Sequence, residues 1–337
     1  MDDTRMTEAR TERVPLAQCV PTCGTADQRG SYLELSDREF EHRIRLAYAH
    51  LQYCDLCPVK CGASRLSGRP GVCGAALRPR VFVWNIHRGE EPPVSGLRGS
   101  GTVFLSGCNL RCCYCQNYPL SQLGHGSEYS VPRLAAALNE LQRRGAHNIN
   151  FVTPSHQVAQ ILAAVLMARR QGLTIPLVYN TSSYDSVETL GLLDGIVDIY
   201  LGDYRYTDDV VAHNLSGAAD YPAVARAALE EMHRQVGDLV ACADGTFVPH
   251  GLIVRYLVLP RLTRMAKDVF QFVHERLSVD TYVSVMTQYF PAYKALDGAR
   301  GVGRKITEAE FDKVMNAWHA SGLVHGWVQE LDGEGGA

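Results

Sequence analysis

The sequence predicts an α/β protein built on a partial, open (β/α)6 TIM-like barrel, preceded by a small module that carries four cysteines. From about residue 100 onward, short apolar runs alternate with amphipathic segments, and six such units follow one another. The runs are continuously apolar, as buried parallel strands are, rather than alternating. Repeated βα units imply a parallel sheet with right-handed crossovers. Six units favour an open barrel over a closed eight-stranded one.

The elements of this barrel are predicted in chain order. Its strands are the stretches TVFLSG, NINFVT, IPLVYNT, VDIYLGD, GLIVRYLVLP and TYVSVMTQY. The helix after the first strand opens at Ser130 as N-cap, has Pro132 in its first turn and stops at Gly145. Further helices follow the later strands, and the last one is predicted from about 307 to 320.

Four segments of different texture divide the chain. Residues 1–35 have little periodicity and are predicted to be a flexible arm. Residues 36–99 contain one amphipathic helix and the four-cysteine module, and residues 100–325 form the barrel. Residues 326–337 are predicted to be a C-terminal tail.

Composition and charge exclude several classes of protein. The net charge is −3 and there is no long basic stripe, so nucleic acid is not an expected partner. The N-terminal stretch MDDTRMTEARTERVPLAQ is polar and lacks the apolar region of a signal peptide. The apolar run ILAAVLMA is far shorter than the roughly 20 residues of a membrane span. We therefore expect a cytoplasmic protein without a membrane partner.

Three cysteines in a short loop after the first barrel strand predict an iron–sulfur cluster. Cys108, Cys112 and Cys115 are spaced C-x3-C-x2-C, and tight cysteine clusters in a reducing compartment more often bind metal than form disulfides. Thiolates on so short a loop can converge on one cubane cluster and leave its fourth iron open. A zinc knuckle needs a fourth ligand, and none follows at the usual pairwise spacing.

A second cysteine group precedes the barrel. Cys54, Cys57, Cys61 and Cys73 are spaced C-x2-C-x3-C-x11-C. Four thiolates can close a tetrahedral zinc site or hold a second iron–sulfur cluster, and both alternatives stay open because both require four converging sulfurs. Cys19 and Cys23 lie in the predicted arm and are expected to bind nothing.

The loop sequence GCNLRCCYCQN, with an aromatic residue before the last cysteine, resembles the signature of radical S-adenosylmethionine (SAM) enzymes. The resemblance implies a [4Fe-4S] cluster whose open iron chelates SAM, and reductive cleavage of SAM to a 5′-deoxyadenosyl radical that removes a hydrogen atom from a substrate. It places Tyr114 near the adenine. Cys113 departs from the pattern, because that position is commonly aliphatic. Cys113 either points away from the cluster or supplies a reactive thiol near the radical.

From about residue 54 to 320 the chain resembles a branch related to pyruvate formate-lyase activating enzyme. The matching stretches include CDLCPVKCG, HRGEEPPVSGLRGSG, GAHNINFVTPSH, LVYNTSSYD, DIYLGDYRYTDD and VRYLVLP. The resemblance implies that Asn180, Thr181 and Asp203 contact SAM or its cation, and that Arg255 lies near the methionyl carboxylate. Arg205 stands where a lysine is expected, which keeps the charge but changes the geometry.

The stretch VTPSH occupies the place where many relatives carry GGE for the methionyl amine. The resemblance therefore implies that Thr153, Ser155 and His156, or the backbone there, take over that contact. A structural role such as helix capping is the alternative for each of these polar residues. In the stretch HRGEEPPVSG, His87, Glu90 and Glu91 are candidates for acid–base or substrate-binding work, with a solvated loop as the alternative.

Three functions follow from this reading. The first is a radical SAM enzyme acting on a small molecule or a peptide. The second is an activating enzyme that installs a glycyl radical on a partner protein, and the third is a metal-binding scaffold without catalysis. The resemblance also implies reduced flavodoxin or ferredoxin as the electron donor.

Overall fold

The structure is a computed structural model that describes residues 29–242 and 247–329. Its centre is one nine-stranded sheet in the order β3-β1-β2-β4-β5-β6-β7-β8-β9. The strands are β1 Arg80–His87, β2 Ser100–Leu105, β3 Ser127–Glu128, β4 Ile149–Val152, β5 Leu177–Thr181, β6 Ile199–Asp203, β7 Gly251–Leu257, β8 Tyr282–Met286 and β9 Gly326–Val328. The helices are α1 Asp37–Ala49, α2 Pro92–Ser95, α3 Tyr118–Ser121, α4 Val131–Arg143, α5 Val158–Arg170, α6 Val187–Gly191, α7 Asp209–Ser216, α8 Tyr221–Val236, α9 Met265–Phe272 and α10 Glu308–Ser321.

The sheet has a parallel body and an antiparallel edge. β2 and β4 to β9 run parallel, whereas β1 pairs antiparallel with both β2 and β3. Since β3 and β9 stand at opposite edges, the barrel is open. The predicted fold class is confirmed, and the six predicted strands are β2 and β4 to β8. The sequence-based prediction missed β1, β3 and β9.

The segment boundaries differ from the prediction at two places. Most of the predicted arm lies outside the described residues, but residues 29–35 pack on the barrel. There the backbone N–H and the hydroxyl of Ser31 donate to Asp198 Oδ1 at 2.7 and 2.6 Å. The predicted C-terminal tail starts at 326, where the structure has the edge strand β9.

Successive residues of each strand point to opposite faces, which separates two cores. The outer face packs against the helices in a large cluster that includes Tyr179, Tyr200 and Val254. The inner face surrounds the barrel lumen. Its apolar cluster consists of Val94, Val178, Ile199, Leu201, Leu239, Phe247, Ile253 and Tyr282.

Helix α2 closes the lumen at the N-terminal ends of the parallel strands. His87 at the end of β1 pairs with Ser100 at the start of β2, so residues 88–99 connect the two strands at that end. Val94 is fully buried in the lumen cluster, and its carbonyl accepts a 2.7 Å hydrogen bond from Asn148 Nδ2. Asn148 Oδ1 in turn accepts from the Ser100 hydroxyl at 2.6 Å. The α2 segment is therefore the floor of the lumen.

Asn148→Ala should lower the free energy of unfolding by about 2 kcal/mol, because it leaves the buried Val94 carbonyl and the Ser100 hydroxyl without their hydrogen-bond partner. The measurement is urea unfolding under anaerobic conditions. Asn139→Ala is the matched control, since Asn139 also donates to a helix carbonyl, at 3.3 Å, but from a part-buried position where water can replace it. Equal effects of the two substitutions would contradict the assigned role of Asn148.

Candidate active site

The three-cysteine loop lies at the C-terminal end of β2 and is fixed by backbone contacts. The N–H groups of Arg111 and Cys113 donate to Ser216 O and Leu215 O at 2.9 and 2.8 Å. Gly107 begins the loop with φ +87°, and a Cβ there would lie 2.2 Å from Cys73 O. Only glycine fits this position, because both the backbone angle and the close approach exclude a side chain.

The thiols of this loop are free, and each has a polar neighbour. Cys112 Sγ lies 3.0 Å from Ser216 Oγ and 3.4 Å from Arg205 Nη1. Cys115 Sγ lies 3.1 Å from Ser121 Oγ, and Cys108 Sγ accepts the Leu110 N–H at 3.4 Å. Burial raises the pKa of Cys108 to about 12, so its thiolate form depends on bound metal.

This donor set fits an iron–sulfur cluster. Hydroxyl, amide and guanidinium donors directed at sulfur are the contacts that stabilise cluster thiolates. Across residues 29–242 and 247–329, no three His, Cys, Asp or Glu side chains are arranged as ligands of a single metal ion. A cubane cluster does not require that arrangement, because each thiolate binds a different iron.

Tyr114 and Cys113 lie on the protein side of the loop. The Tyr114 hydroxyl is hydrogen-bonded to that of Tyr206, which lies 2.7 Å from Ser216 Oγ. Cys113 is buried, and its carbonyl accepts the Ala295 N–H at 3.0 Å. The predicted adenine contact of Tyr114 and both alternatives for Cys113 stay predictions.

A cavity of about 320 Å³ occupies the lumen above α2. Glu90 and Glu91 lie at its floor, and Asn180 and Arg255 lie in its wall. The remaining lining residues are His87, Gly89, Pro92, Phe104, Asn117, Val152, Ser284, Met286, Gln288, Trp327, Val328 and Gln329. Asn117 follows Cys115 by two residues, so the cavity reaches the cysteine loop.

A chain of charged contacts connects the cysteine loop to this cavity. Arg205, which approaches Cys112, donates through Nη2 to Asp203 Oδ2 at 2.7 Å. Arg255 Nε donates to Asp203 Oδ1 at 2.8 Å, and its Nη2 donates to Asn180 Oδ1 at 2.6 Å. Burial pushes the pKa of Asp203 upward, but Arg255 and Arg205 outweigh it and the pKa is lowered. Asp203 is therefore a buried, ionised carboxylate between two guanidinium groups.

The structure divides the residues predicted to contact SAM into two sets. Asn180, Asp203, Arg205 and Arg255 belong to the chain of contacts just described. Thr181 and Ser155 lie behind the sheet, where Thr181 donates to Asp185 and the two hydroxyls are 3.2 Å apart. Thr153 directly follows β4, has φ +59° and donates its N–H to Asn180 O at 2.9 Å. The ligand contacts of both sets stay predictions.

His156 faces the four-cysteine module instead of the lumen cavity. It lies 2.8 Å from Ser106 O through Nε2, and burial lowers its pKa to about 4, so the imidazole is neutral. It lines a small cavity of about 10 Å³ together with the second cysteine group. The predicted contact of His156 with the methionyl amine stays a prediction, without support from this position.

Glu90 and Glu91 lie in the lumen and not in a solvated loop. Glu91 is 7% exposed, so the solvated-loop alternative is wrong for it. Ser284 and Trp327 were not identified from the sequence. Ser284 carries a usable signal, because it is the polar residue at an inward position of the strand TYVSVM. Trp327 has no such signal in the sequence, because it lies in the predicted C-terminal tail.

The second cysteine group surrounds the small cavity beside His156. Cys54, Cys57, Cys61 and Cys73 are free thiols that line it. A Cβ on Gly71 would lie 3.1 Å from Cys61 Sγ and 3.5 Å from Cys73 Sγ, which shows how closely these sulfurs approach one point. Outside both groups, Cys242 is in a disulfide.

Arg65 is fully buried beside these thiols. Its Nη1 lies 3.7 Å from Cys54 Sγ, and its Nε and Nη2 donate to Ala76 O at 3.3 and 3.1 Å. Within the described part of the chain, this guanidinium has no carboxylate partner. A buried charge needs a counter-charge, and the neighbouring cysteines can supply it as thiolates.

The two cysteine groups are in direct contact. The Cys108 N–H donates to Cys73 O at 3.3 Å, and Arg111 Nη2 donates to Val72 O. Asn109 hydrogen-bonds through Nδ2 to Tyr184 O at 2.6 Å and lies within reach of the Cys57 thiol. The module therefore forms one wall of the loop that carries Cys108, Cys112 and Cys115.

Cys112→Ser should remove about four iron atoms per chain from the reconstituted protein, since the cluster loses a ligand. Cys113→Ser is the matched control at the adjacent cysteine and should keep them. Iron and sulfide analysis with the visible absorption spectrum checks both. Loss of iron from both variants, or from neither, would contradict the assignment of ligands.

Comparison with known proteins supports the iron–sulfur assignment. Residues 95–207 match a family described as "4Fe-4S single cluster domain". The uncharacterized protein MJ0674 of Methanocaldococcus jannaschii is 28% identical over 284 residues, which cover 81% of this chain and 76% of that protein. In the described residues, none of the helices has the length and apolar character needed to cross a membrane.

Three solved structures show a distant likeness. HydG, a maturase of the [FeFe]-hydrogenase, has a TM-score of 0.49 at 13% identity, covering 69% of this chain and 52% of its own. Streptococcus suis SuiB bound to precursor peptide SuiA has a TM-score of 0.44 at 10% identity, covering 66% and 46%. The third is anSMEcpe with bound AdoMet, with a TM-score of 0.42 at 13% identity, covering 66% and 58%.

This chain therefore spans about half the length of the solved structures that it matches. The family match is the more specific finding. It confirms the prediction of an iron–sulfur domain, and the matched residues 95–207 contain the three-cysteine loop together with Asp203 and Arg205.

Proposed function

We propose that this protein is a radical SAM enzyme that removes a hydrogen atom from a small molecule or a peptide. The observation that carries the proposal is the set of three free thiols at the C-terminal end of β2, joined by a chain of charged contacts to a polar lumen cavity. The sequence resemblance and the 4Fe-4S family match support it.

In this proposal Cys108, Cys112 and Cys115 hold a [4Fe-4S] cluster. When bound, the cluster and SAM supply an electron and a 5′-deoxyadenosyl radical that removes a hydrogen atom. Arg205 donates to the Cys112 sulfur and stabilises its thiolate form.

Asn180, Asp203 and Arg255 form the polar wall available to the zwitterionic end of SAM. The Asp203–Arg255 ion pair holds the guanidinium in a fixed orientation, since Asp203 is buried and the Arg255 side chain is 11% exposed. The apolar side chains Phe104, Val152 and Met286 also line the cavity. Reduced flavodoxin or ferredoxin is the electron donor implied by the resemblance, and the relation to pyruvate formate-lyase activating enzyme stays a prediction.

The first test is formation of 5′-deoxyadenosine by the anaerobically reconstituted, dithionite-reduced protein given SAM. The wild-type protein should form it, and Cys112→Ala should form none, because the cluster cannot assemble without that ligand. Product is measured by chromatography with mass detection. Failure of cluster-loaded protein both to bind SAM and to form product would refute the proposal.

We also propose that the second cysteine group binds metal through four thiolates. The buried Arg65 charge supports this, because neutral thiols would leave it uncompensated. Zinc and a second iron–sulfur cluster both provide the required thiolates.

Metal analysis of a Cys54→Ser/Cys57→Ser variant distinguishes the two metals. We expect loss of one zinc ion, or of about four iron atoms, with the cluster of the three-cysteine loop retained. The reference is wild-type protein prepared in parallel. An unchanged metal content would show that the module works without metal.

A further inference from the structure

The floor of the lumen cavity carries two carboxylates with few partners. Glu91 lines the cavity and is 7% exposed, and its Oε2 has no hydrogen-bond partner in the described residues. The nearest cation is Arg255, whose Nη1 lies 3.9 Å away, beyond hydrogen-bond distance. A buried carboxylate oxygen without a partner is costly, and a ligand in the cavity would supply one.

Glu90 beside it is also weakly partnered. Its side chain is 9% exposed, and Oε2 lies 3.8 Å from Arg255 Nη1 and 3.4 Å from Asn180 Nδ2. Its Oε1 lies 3.5 Å from His87 Nδ1. The Ser95 hydroxyl accepts the Glu90 N–H at 3.0 Å, which fixes the backbone of the floor.

Arg255 reaches Glu90 and Glu91 only at 3.8 and 3.9 Å, because its short contacts go elsewhere. Its Nε and Nη2 lie 2.8 and 2.7 Å from Asp203 Oδ1, and Nη2 also donates to Asn180. Three carboxylates therefore border or approach the cavity, and the close ion pairs involve Asp203 alone. The floor carboxyls therefore have cationic neighbours only at 3.5 to 3.9 Å, and burial raises the pKa of Glu91.

The rest of the cavity wall suits an organic cation. Phe104, Met286 and Trp327 line it together with the polar groups. Aromatic faces attract ammonium and guanidinium groups, and the apolar surface accommodates the carbon chain that carries them.

We propose that Glu90 and Glu91 bind a cationic group of the substrate, an ammonium or guanidinium, and so place its carbon chain in the lumen below the cysteine loop. The inference rests on the proposed function and adds the chemical class of the substrate. A basic side chain of a peptide and a free amine share this chemistry.

The position of the carboxylates favours substrate over SAM as their ligand. From the loop, the contacts run from Cys112 to Arg205, then to Asp203, then to Arg255, and reach Glu91 last. A molecule held at the cluster occupies the near end of this series. Glu90 and Glu91 lie one contact beyond Arg255, at 3.8 and 3.9 Å from its Nη1, on the side away from Arg205 and the cysteine loop.

The test is calorimetric titration of cluster-loaded wild-type protein with four probes of matched size. Butylammonium and butylguanidinium chloride should bind, and butanol and sodium butanoate should not. Glu91→Gln and Glu90→Gln should each weaken binding of the cationic probes about tenfold or more, as loss of a charged hydrogen bond does. Glu188→Gln is the matched control at an exposed carboxylate and should leave binding unchanged.

Two results would overturn the inference. The first is equal binding, or no binding, of all four probes to the wild-type protein, which needs no variant and so does not depend on folding of Glu91→Gln. The second is a loss of SAM affinity in Glu91→Gln as large as the loss of probe affinity, which would assign the carboxylates to SAM. In either case, 5′-deoxyadenosine formation by wild-type protein would still support the proposed function.

To separate a free amine from a peptide, the same titration is repeated with a capped tripeptide that has lysine at its centre. Tighter binding of the peptide than of butylammonium assigns the cation to a side chain, and weaker binding assigns it to a small molecule. Both results support a cationic substrate. If neither the tripeptide nor butylammonium binds, a cationic substrate is contradicted.

Discussion

The buried Asp203 carboxylate, shared by Arg205 and Arg255, is the interaction on which the site depends. Arg205 approaches the sulfur of Cys112, and Arg255 fixes Asn180 and faces the lumen floor. Removing Asp203 would leave two largely buried guanidinium groups without their shared counter-charge, which is far more costly than losing a surface ion pair. The group therefore holds the cysteine loop and the lumen wall in one arrangement, which is the preorganisation that a reactive site requires.

The lumen is polar at the C-terminal ends of the parallel strands, because α2 fills it at their N-terminal ends. Val94 and the apolar residues around it give the strands a packed core, so the barrel does not need the upper layer for stability. That frees inward positions of β5 to β8 for Asn180, Asp203, Arg255 and Ser284. Stability and ligand binding are thus assigned to different layers of the same strands.

Much of the barrel could be predicted because buried parallel strands leave long apolar runs. β1 lacks that signal, since its residues are mostly part-buried or exposed, and β3 and β9 have two and three residues. The two cysteine groups could be predicted as groups from spacing alone, and their role as ligands stays a prediction. The direction of a side chain at a strand end could not, so Thr181 and Asn180 are adjacent in sequence yet lie on opposite faces of the sheet. The position of residues 88–99 inside the barrel could not be predicted either. In the sequence, Glu90 and Glu91 are typical of a solvent-exposed loop, and only the structure shows α2 in the lumen.

The backbone contact between Cys73 and Cys108 has a consequence for maturation of the protein. Gly107 can approach the Cys73 carbonyl closely only while the segment before the barrel is folded over the loop. A chain whose four-cysteine module is still open lacks that wall, and its three-cysteine loop is exposed to oxygen and to stray metals. The arrangement of the three-cysteine loop therefore depends on prior folding of the module before the barrel.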